Sequence, residues 1–224
     1  MKQFAIIVAG GSGKRMKSDA PKQFLEIGGT PLLMISIEAF YRFNPEIKII
    51  VALPENQINF WQQLCQKHSF SVKHQIVVGG ETRYHSVKNA LKKIDPEGVV
   101  AIHDGVRPLV SQQTIQNVFK IAAEKGNGVP YINLADSIRY VTKDENKPVD
   151  RRSFKLIQTP QAFDCKIILH AYKQPFEPLF TDDASVAEKA GQKINLVAGN
   201  RENIKITNQV DLIVANTLID YLSE

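Results

Sequence analysis

The chain has 224 residues, of which 43% are hydrophobic and 23% charged, a balance that suits one domain with a single sizeable core. Its apolar runs are too short to cross a bilayer, and the N-terminal MKQFAIIVAGG is too short for a signal peptide, so no membrane partner is expected. Cys65 and Cys165 lie far apart and match no metal spacing, which points to a reducing, cytoplasmic setting.

FAIIVA (4–9) is a continuous apolar run ending in glycines and predicts a buried parallel strand. Helix-like stretches 32–43, 55–67, 82–93 and 111–125 alternate with three more such strands, KIIVAL (48–53), VKHQIVV (72–78) and GVVAIH (98–103). That alternation predicts βαβ units, hence an α/β fold with a Rossmann-like, mostly parallel sheet and flanking helices. From about 133 to 160 the rhythm changes. SIRYV and SFKLIQ flank the charged, turn-rich TKDENKPVDR, so a protruding β-arm is expected. A two-stranded arm is marginal by itself and needs something to pack on, such as a second subunit. Helices resume at 164–173, 182–190 and 208–222, and the whole of 1–224 reads as one domain with an arm.

The formal charge is +5, which admits either nucleic acid or small phosphates as partner. The cations stand singly beside glycines, prolines and carboxylates, with no basic tail or aromatic-interleaved block. A small-phosphate pocket is therefore expected and nucleic acid is not. AGGSGKRM (9–16) follows the first strand, where glycines turn the backbone tightly and aim its N–H groups at an anion. It fits neither common phosphate motif. The dinucleotide fingerprint needs a third glycine where Met16 stands. The P-loop needs Ser or Thr where Arg15 stands and a first glycine where Val8 stands. What remains is a glycine loop followed by Arg15, and then Lys22 held in a turn by Pro21. Lys14 and Lys17 read as solvated. Asp104, ending the fourth strand, sits where open α/β sheets bind ligands. Arg107 either pairs with a phosphate or orients Asp104, and His103 reads as a packed histidine. TDDAS (181–185) reads as a helix N-cap rather than a catalytic pair.

AGGSGKRM with PKQF resembles the N-terminal signature of sugar-phosphate nucleotidyltransferases. GGETRYHSV (79–87), HDGVRP (103–108), DSIR (136–139), VDR with QTPQAF (149–151 and 158–163), TDDAS and ENIKIT (202–207) follow in order over nearly the whole chain. Together they resemble the 2-C-methyl-D-erythritol 4-phosphate cytidylyltransferases. Gly10 and Gly11, Gly105 and Val106, and Ser137 replace residues common in that family, none of them charged, and leave room for a sister activity on ribitol 5-phosphate. A non-catalytic nucleotide- or RNA-binding module is a more distant alternative, opposed by Arg15, Lys22, Asp104 and Lys205 all being in place.

The resemblance implies transfer of CMP from CTP to a polyol phosphate, with Arg15, Lys22 and Lys205 as catalytic cations. Ala9, Gly10, Gly11, Ser12, Gly13, Gly80, Arg83, Ser86, Asp104 and Gly105 would surround the nucleotide. Locally, Ser86 reads equally as a helix-surface serine and Arg83 as a structural ion-pair partner. Asp104, Arg107, Ser137, Arg151, Thr159 and Lys205 would meet the second substrate. The resemblance also implies Mg²⁺ held mainly by nucleotide phosphates, with Asp104 a possible ligand, and a homodimer whose arm crosses to the partner.

Overall fold

The computed structural model describes residues 1–10 and 21–221. β1 (Gln3–Val8) alternates in the way a doubly covered strand must. Ala5 and Ile7 pack into one core, and Phe4, Ile6 and Val8 into another on the opposite face. A 3-10 turn (Lys22–Phe24) and the short pair β2 (Glu26–Ile27) and β3 (Thr30–Pro31) lead into α1 (Leu32–Phe43). β4 (Lys48–Leu53), α2 (Ile58–Lys67), β5 (Gln75–Val78), α3 (Arg83–Leu91), β6 (Val99–Asp104) and α4 (Gln112–Lys125) follow. The expected strand at 72–78 keeps only its C-terminal half, and the helix expected from 55 opens with a 3-10 turn, Glu55–Gln57, before α2.

β1 pairs in parallel with β4 and with β6, and β4 in parallel with β5. The chain therefore builds outward from β1 through β4 to β5, then returns to lay β6 on the other side of β1. That reversal is a topological switch point, which opens a crevice beyond the carboxyl ends of β1 and β6.

The remainder runs β7 (Asn127–Asn133), β8 (Ile138–Val141), β9 (Asn146–Val149), β10 (Lys155–Ile157), β11 (Gln161–Asp164), α5 (Cys165–Ala171), α6 (Asp183–Lys189), β12 (Leu196–Ala198) and α7 (Gln209–Tyr221). The main sheet has the order β10-β7-β11-β6-β1-β4-β5, with β12 also on β7. β6, β1, β4 and β5 are parallel, while β11 is antiparallel to β6 and β7. Tyr131 of β7 pairs with both Ile157 of β10 and Ala198 of β12, so those strands lie on its two opposite edges. β7 and β11 had no counterpart among the expected strands. Pro130 and the polar Asn127 and Gln161 break the apolar runs that announce buried strands.

The arm needs a correction. SIRYV does form β8, but its partner is NKPV (β9), from within the stretch expected to be a turn. The Thr142 N–H donates to the Glu145 oxygen at 2.8 Å and closes that hairpin. SFKLIQ returns to the main sheet instead, with Leu156 opposite Ile132. The physical reason is hydrogen-bond demand. The end of β7 presents an open backbone edge, and β10 satisfies it, which leaves β8 to pair with the nearest strand following it.

Candidate active site

The crevice at the switch point gathers residues from five places. Ala9 and Gly10 follow β1, Lys22 and Gln23 come from the 3-10 turn, Gly80 to Thr82 follow β5, Arg83 and Ser86 open α3, and Asp104 ends β6, with Lys205 on the rim. An adjoining cavity shares Arg83, Asp104 and Lys205 and adds Arg107, Thr159 and Asp182. Pro21 is extended ahead of the 3-10 turn and so presents Lys22 from a constrained segment, as the sequence predicts.

Asp104 is the electrostatic hub. Its Oδ1 meets Arg83 Nε at 3.2 Å, and its Oδ2 meets Lys205 Nζ at 2.8 Å and Arg107 Nε at 3.7 Å. Burial opposes ionisation of this carboxyl, but Arg83, Lys205 and Arg107 outweigh it and hold it well below the usual carboxylate range. Arg83 also pairs with the buried Asp183. Three cations thus face two carboxylates in this network, and Lys22, Glu81 and Asp182 add one further cation and two acids to the cavity linings. Arg107 Nη1 donates to the Asn203 backbone oxygen at 2.8 Å, which points its side chain along the cavity wall.

His103 lies behind this hub, fully buried. A carbonyl cannot donate, so Nε2 carries the proton given to the Arg107 oxygen at 2.9 Å. Nδ1 then accepts from the Thr159 hydroxyl at 3.1 Å, and that hydroxyl accepts from the Asp104 N–H at 3.0 Å. Burial pushes the imidazole pKa down to about 4, so the ring is neutral. The expectation of a packed histidine holds. Thr159, expected near the second substrate, lines the adjoining cavity while its hydroxyl fixes the Asp104 backbone.

The loop between β5 and α3 has a steric reason for its second glycine. A Cβ on Gly80 would stand 2.4 Å from the His85 Cβ. Ser86 braces the same loop, accepting from Gly80 N–H at 3.0 Å and donating to the Thr82 oxygen at 3.0 Å. It is buried, not a helix-surface serine. Thr82 caps α3 by accepting from His85 N–H.

The chain matches the model of the IspD family, 2-C-methyl-D-erythritol 4-phosphate cytidylyltransferase, over residues 3–221. It belongs to that family. Among its relatives, the cytidylyltransferase of Bacteroides fragilis is 52% identical over 215 residues, covering 96% of this chain and 98% of that protein. The Clostridium acetobutylicum protein of the same name is 38% identical and covers 96% of each chain. Among solved structures, 4-diphosphocytidyl-2C-methyl-D-erythritol synthase from Anaerococcus prevotii superposes with a TM-score of 0.82 at 30% identity, covering 98% of each chain. The IspD family is one of nucleotidyltransferases, so the chain is an enzyme of that class.

The IspD signature is only partly visible in the geometry. Gly11, Ser12, Gly13 and Arg15 lie outside the described residues, as do Lys14 and Lys17. Gly105, expected beside the nucleotide, lines neither cavity. Its N–H donates to the Val8 oxygen, its carbonyl accepts from the Ser36 hydroxyl, and a Cβ there would stand 3.0 Å from Leu33 Cδ1. The position of its missing Cβ thus faces Leu33 and Ile7 in the core. Ser137 and Arg151 lie exposed on the arm segment and line neither cavity of their own chain. Arg151 donates instead to the Ala135 oxygen.

Sequence reasoning missed Gln23, Glu81, Thr82 and Asp183. Gln23 is fully buried and donates to the Ala9 oxygen at 2.8 Å, tying the 3-10 turn to the end of β1. The cap expected at Thr181 or Asp182 is Asp182, in a reciprocal pair with Ser185 at the start of α6. One aspartate suffices for a cap, so the second Asp in TDDAS was the available sign that Asp183 does something else. Among the described residues no group of acidic, His or Cys side chains is arranged to hold a metal, and no helix is long and apolar enough to cross a membrane.

Proposed function

We propose that the chain transfers the cytidylyl group of CTP to the phosphate of 2-C-methyl-D-erythritol 4-phosphate and releases pyrophosphate. The observation that carries this reading is the crevice itself. Lys22, Arg83, Arg107 and Lys205 line the carboxyl ends of a parallel sheet at its switch point, in a chain of the IspD family.

An oxygen of the substrate phosphate attacks the α-phosphorus, the bond from that phosphorus to the β-bridging oxygen breaks, and pyrophosphate leaves. The attacking oxygen is already anionic, so no general base is required. Asp104, held strongly ionised by its three cations, is a poor base in any case, and its task is to hold them. Catalysis then consists of placing the phosphates in line and stabilising spreading negative charge. Lys22 supplies a compact charge at the α-phosphate, Arg15 a fork across two phosphates, and Gly11, Ser12 and Gly13 their N–H groups. Lys205, about half exposed, meets phosphate oxygens from its seat on Asp104. Ala9, Gly10, Gly80 and the loop braced by Ser86 form the base pocket, with Arg83 beside it. Arg107 and Thr159 shape the second-substrate side, and Ser137 and Arg151 come from the partner of a two-fold homodimer.

Mg²⁺ fits this chemistry as an ion brought by the nucleotide. Asp104 is already saturated by cations and can offer at most one oxygen to a hard ion, so phosphates and water would hold it. Its contribution is neutralisation of phosphate charge. Two free cysteines and the absence of a spanning helix among the described residues accord with a cytoplasmic enzyme.

A pyrophosphate-release assay tests the reading. CTP should be used at least about tenfold better than UTP, ATP or GTP in kcat/KM, roughly 1.4 kcal/mol of discrimination. The 4-phosphate of methylerythritol should be the acceptor rather than ribitol 5-phosphate. Equal use of UTP would refute the base pocket, and preference for ribitol 5-phosphate would refute the acceptor.

A further inference from the structure

Arg83 lines the crevice but is gripped from behind. Its Nη1 donates to Asp183 Oδ1 at 3.0 Å and its Nη2 to Oδ2 at 2.7 Å, a fork-on-fork pair. Its Nε donates to Asp104 Oδ1 at 3.2 Å. Asp183, the first residue of α6, is wholly buried and accepts a further hydrogen bond from the Tyr172 hydroxyl at 2.6 Å. Tyr172 is fixed in turn. Its ring stacks on Tyr84 with centroids 4.8 Å apart, and its backbone oxygen accepts from the Tyr84 hydroxyl at 3.1 Å. Burial, reinforced by Asp183, holds the Tyr172 phenol well above its ordinary pKa, so it stays a donor at every working pH.

We propose that Asp183 and Tyr172 are positioning residues for nucleotide recognition, a buried brace that fixes where the Arg83 guanidinium meets the bound nucleotide. The inference rests on the reading of the crevice as the CTP site. A buried ion pair is a weak source of stability, because desolvation offsets most of the attraction. What a bidentate fork does supply is a fixed plane. Without Asp183, the guanidinium would keep only Asp104, whose other oxygen already faces Lys205 at 2.8 Å and Arg107 at 3.7 Å. Arg83 would then swing about its Nε contact and lose its orientation toward the base side of the crevice. In this reading that side meets the base end of the nucleotide rather than its reacting phosphorus. Its contacts bind substrate and transition state alike, so their loss belongs in KM for CTP and not in kcat.

Asp183→Asn and Tyr172→Phe test this, through steady-state kinetics and calorimetric titration with CTP and Mg²⁺. Asp183→Asn should raise both the Kd and the KM for CTP about tenfold, and Tyr172→Phe about threefold. In both variants kcat should stay within about twofold. Charge alone predicts the opposite sign. Asp183→Asn makes the crevice more positive, which by itself would tighten an anion, so weaker binding reports lost geometry. If Asp183→Asn does not fold, Tyr172→Phe, which keeps the ring stack and both charges, decides the matter. Folded variants that bind CTP as tightly as wild type, or that lose kcat as fully as kcat/KM, would overturn the brace. Wild-type protein that fails to bind CTP would overturn the proposed function as well, and so separates the two failures.

Discussion

His103 lies in β6 next to Asp104 yet is no ligand, because both ring nitrogens are spent on Arg107 and Thr159. Its burial has a measurable consequence. The unfolded histidine takes up a proton near pH 6.5, whereas the folded one, pushed down to about 4, does not. The unfolded state therefore binds more protons between those values, and stability falls as pH drops through that window, by about 3 kcal/mol in total. Asp104 acts in a lower window. Its carboxyl is held below the ordinary value, so its contribution is lost only as pH falls below about 4. Urea denaturation at pH 7.5 and pH 4.5 should show wild type losing more stability than His103→Gln by roughly that amount, and equal losses would remove His103 as the cause. At this scale the sequence was legible where motif and position agreed. Lys22, Arg83, Asp104 and Lys205 do meet at one crevice. Ser86 and Thr159 also line the crevice and its adjoining cavity, where their hydroxyls brace the protein.

Two glycine-bearing strand ends, those of β1 and β5, make opposite demands on their side chains. A Cβ on Gly80 would stand 2.4 Å from His85 Cβ and 2.9 Å from its carbonyl carbon, and the start of α3 would have to shift. Among the described residues, a Cβ on Gly10 would meet only Ser86 Oγ, at an ordinary 3.7 Å. Gly80→Ala should therefore cost about 1–3 kcal/mol of stability and raise KM for CTP, by overpacking. Gly10→Ala should stay within about 0.5 kcal/mol. Thermal denaturation with a CTP titration distinguishes them, and a matched response in the two variants would contradict the geometry. Strands and helices of strong period were legible at this scale, and α1 and β4 keep their expected ends. β7 and β11 were not, because their burial is achieved with Pro130, Asn127 and Gln161, whose polar groups find partners only once the sheet is assembled.

The arm makes the site a question for the whole molecule. β8 and β9 are four residues each, paired only with one another, and carry Tyr140 and Val141 exposed at 49% and 65%. Such a hairpin is marginal unless it packs on something. Phe154, Leu156 and Ile157 beside it are also exposed, which extends the apolar surface a partner would cover. A two-fold dimer in which Arg151 serves the partner's crevice makes a quantitative prediction. Lys22→Ala and Arg151→Ala should each lower kcat by roughly two to three orders of magnitude. Mixed and allowed to exchange, they should recover about a quarter of wild-type activity. Half the dimers are mixed, and each mixed dimer has one site with both residues intact. No recovery, with subunit exchange confirmed by mass, would place Arg151 in its own chain's site.

By itself the sequence determined the alternation of strands and helices, the family, and the residues whose charge a phosphate site requires. Those follow from local periodicity and from ordered motifs, both of which are written along the chain. The tertiary structure alone decided which partner each group would have. SFKLIQ joined β7 because an open edge stood there, Gly105 came to lie where Leu33 and Ile7 crowd any Cβ, and Asp183 became the counter-charge of a residue 100 positions away. Pairings of that kind depend on what else is buried at the same place, and burial is a property of the assembled sheet and helices.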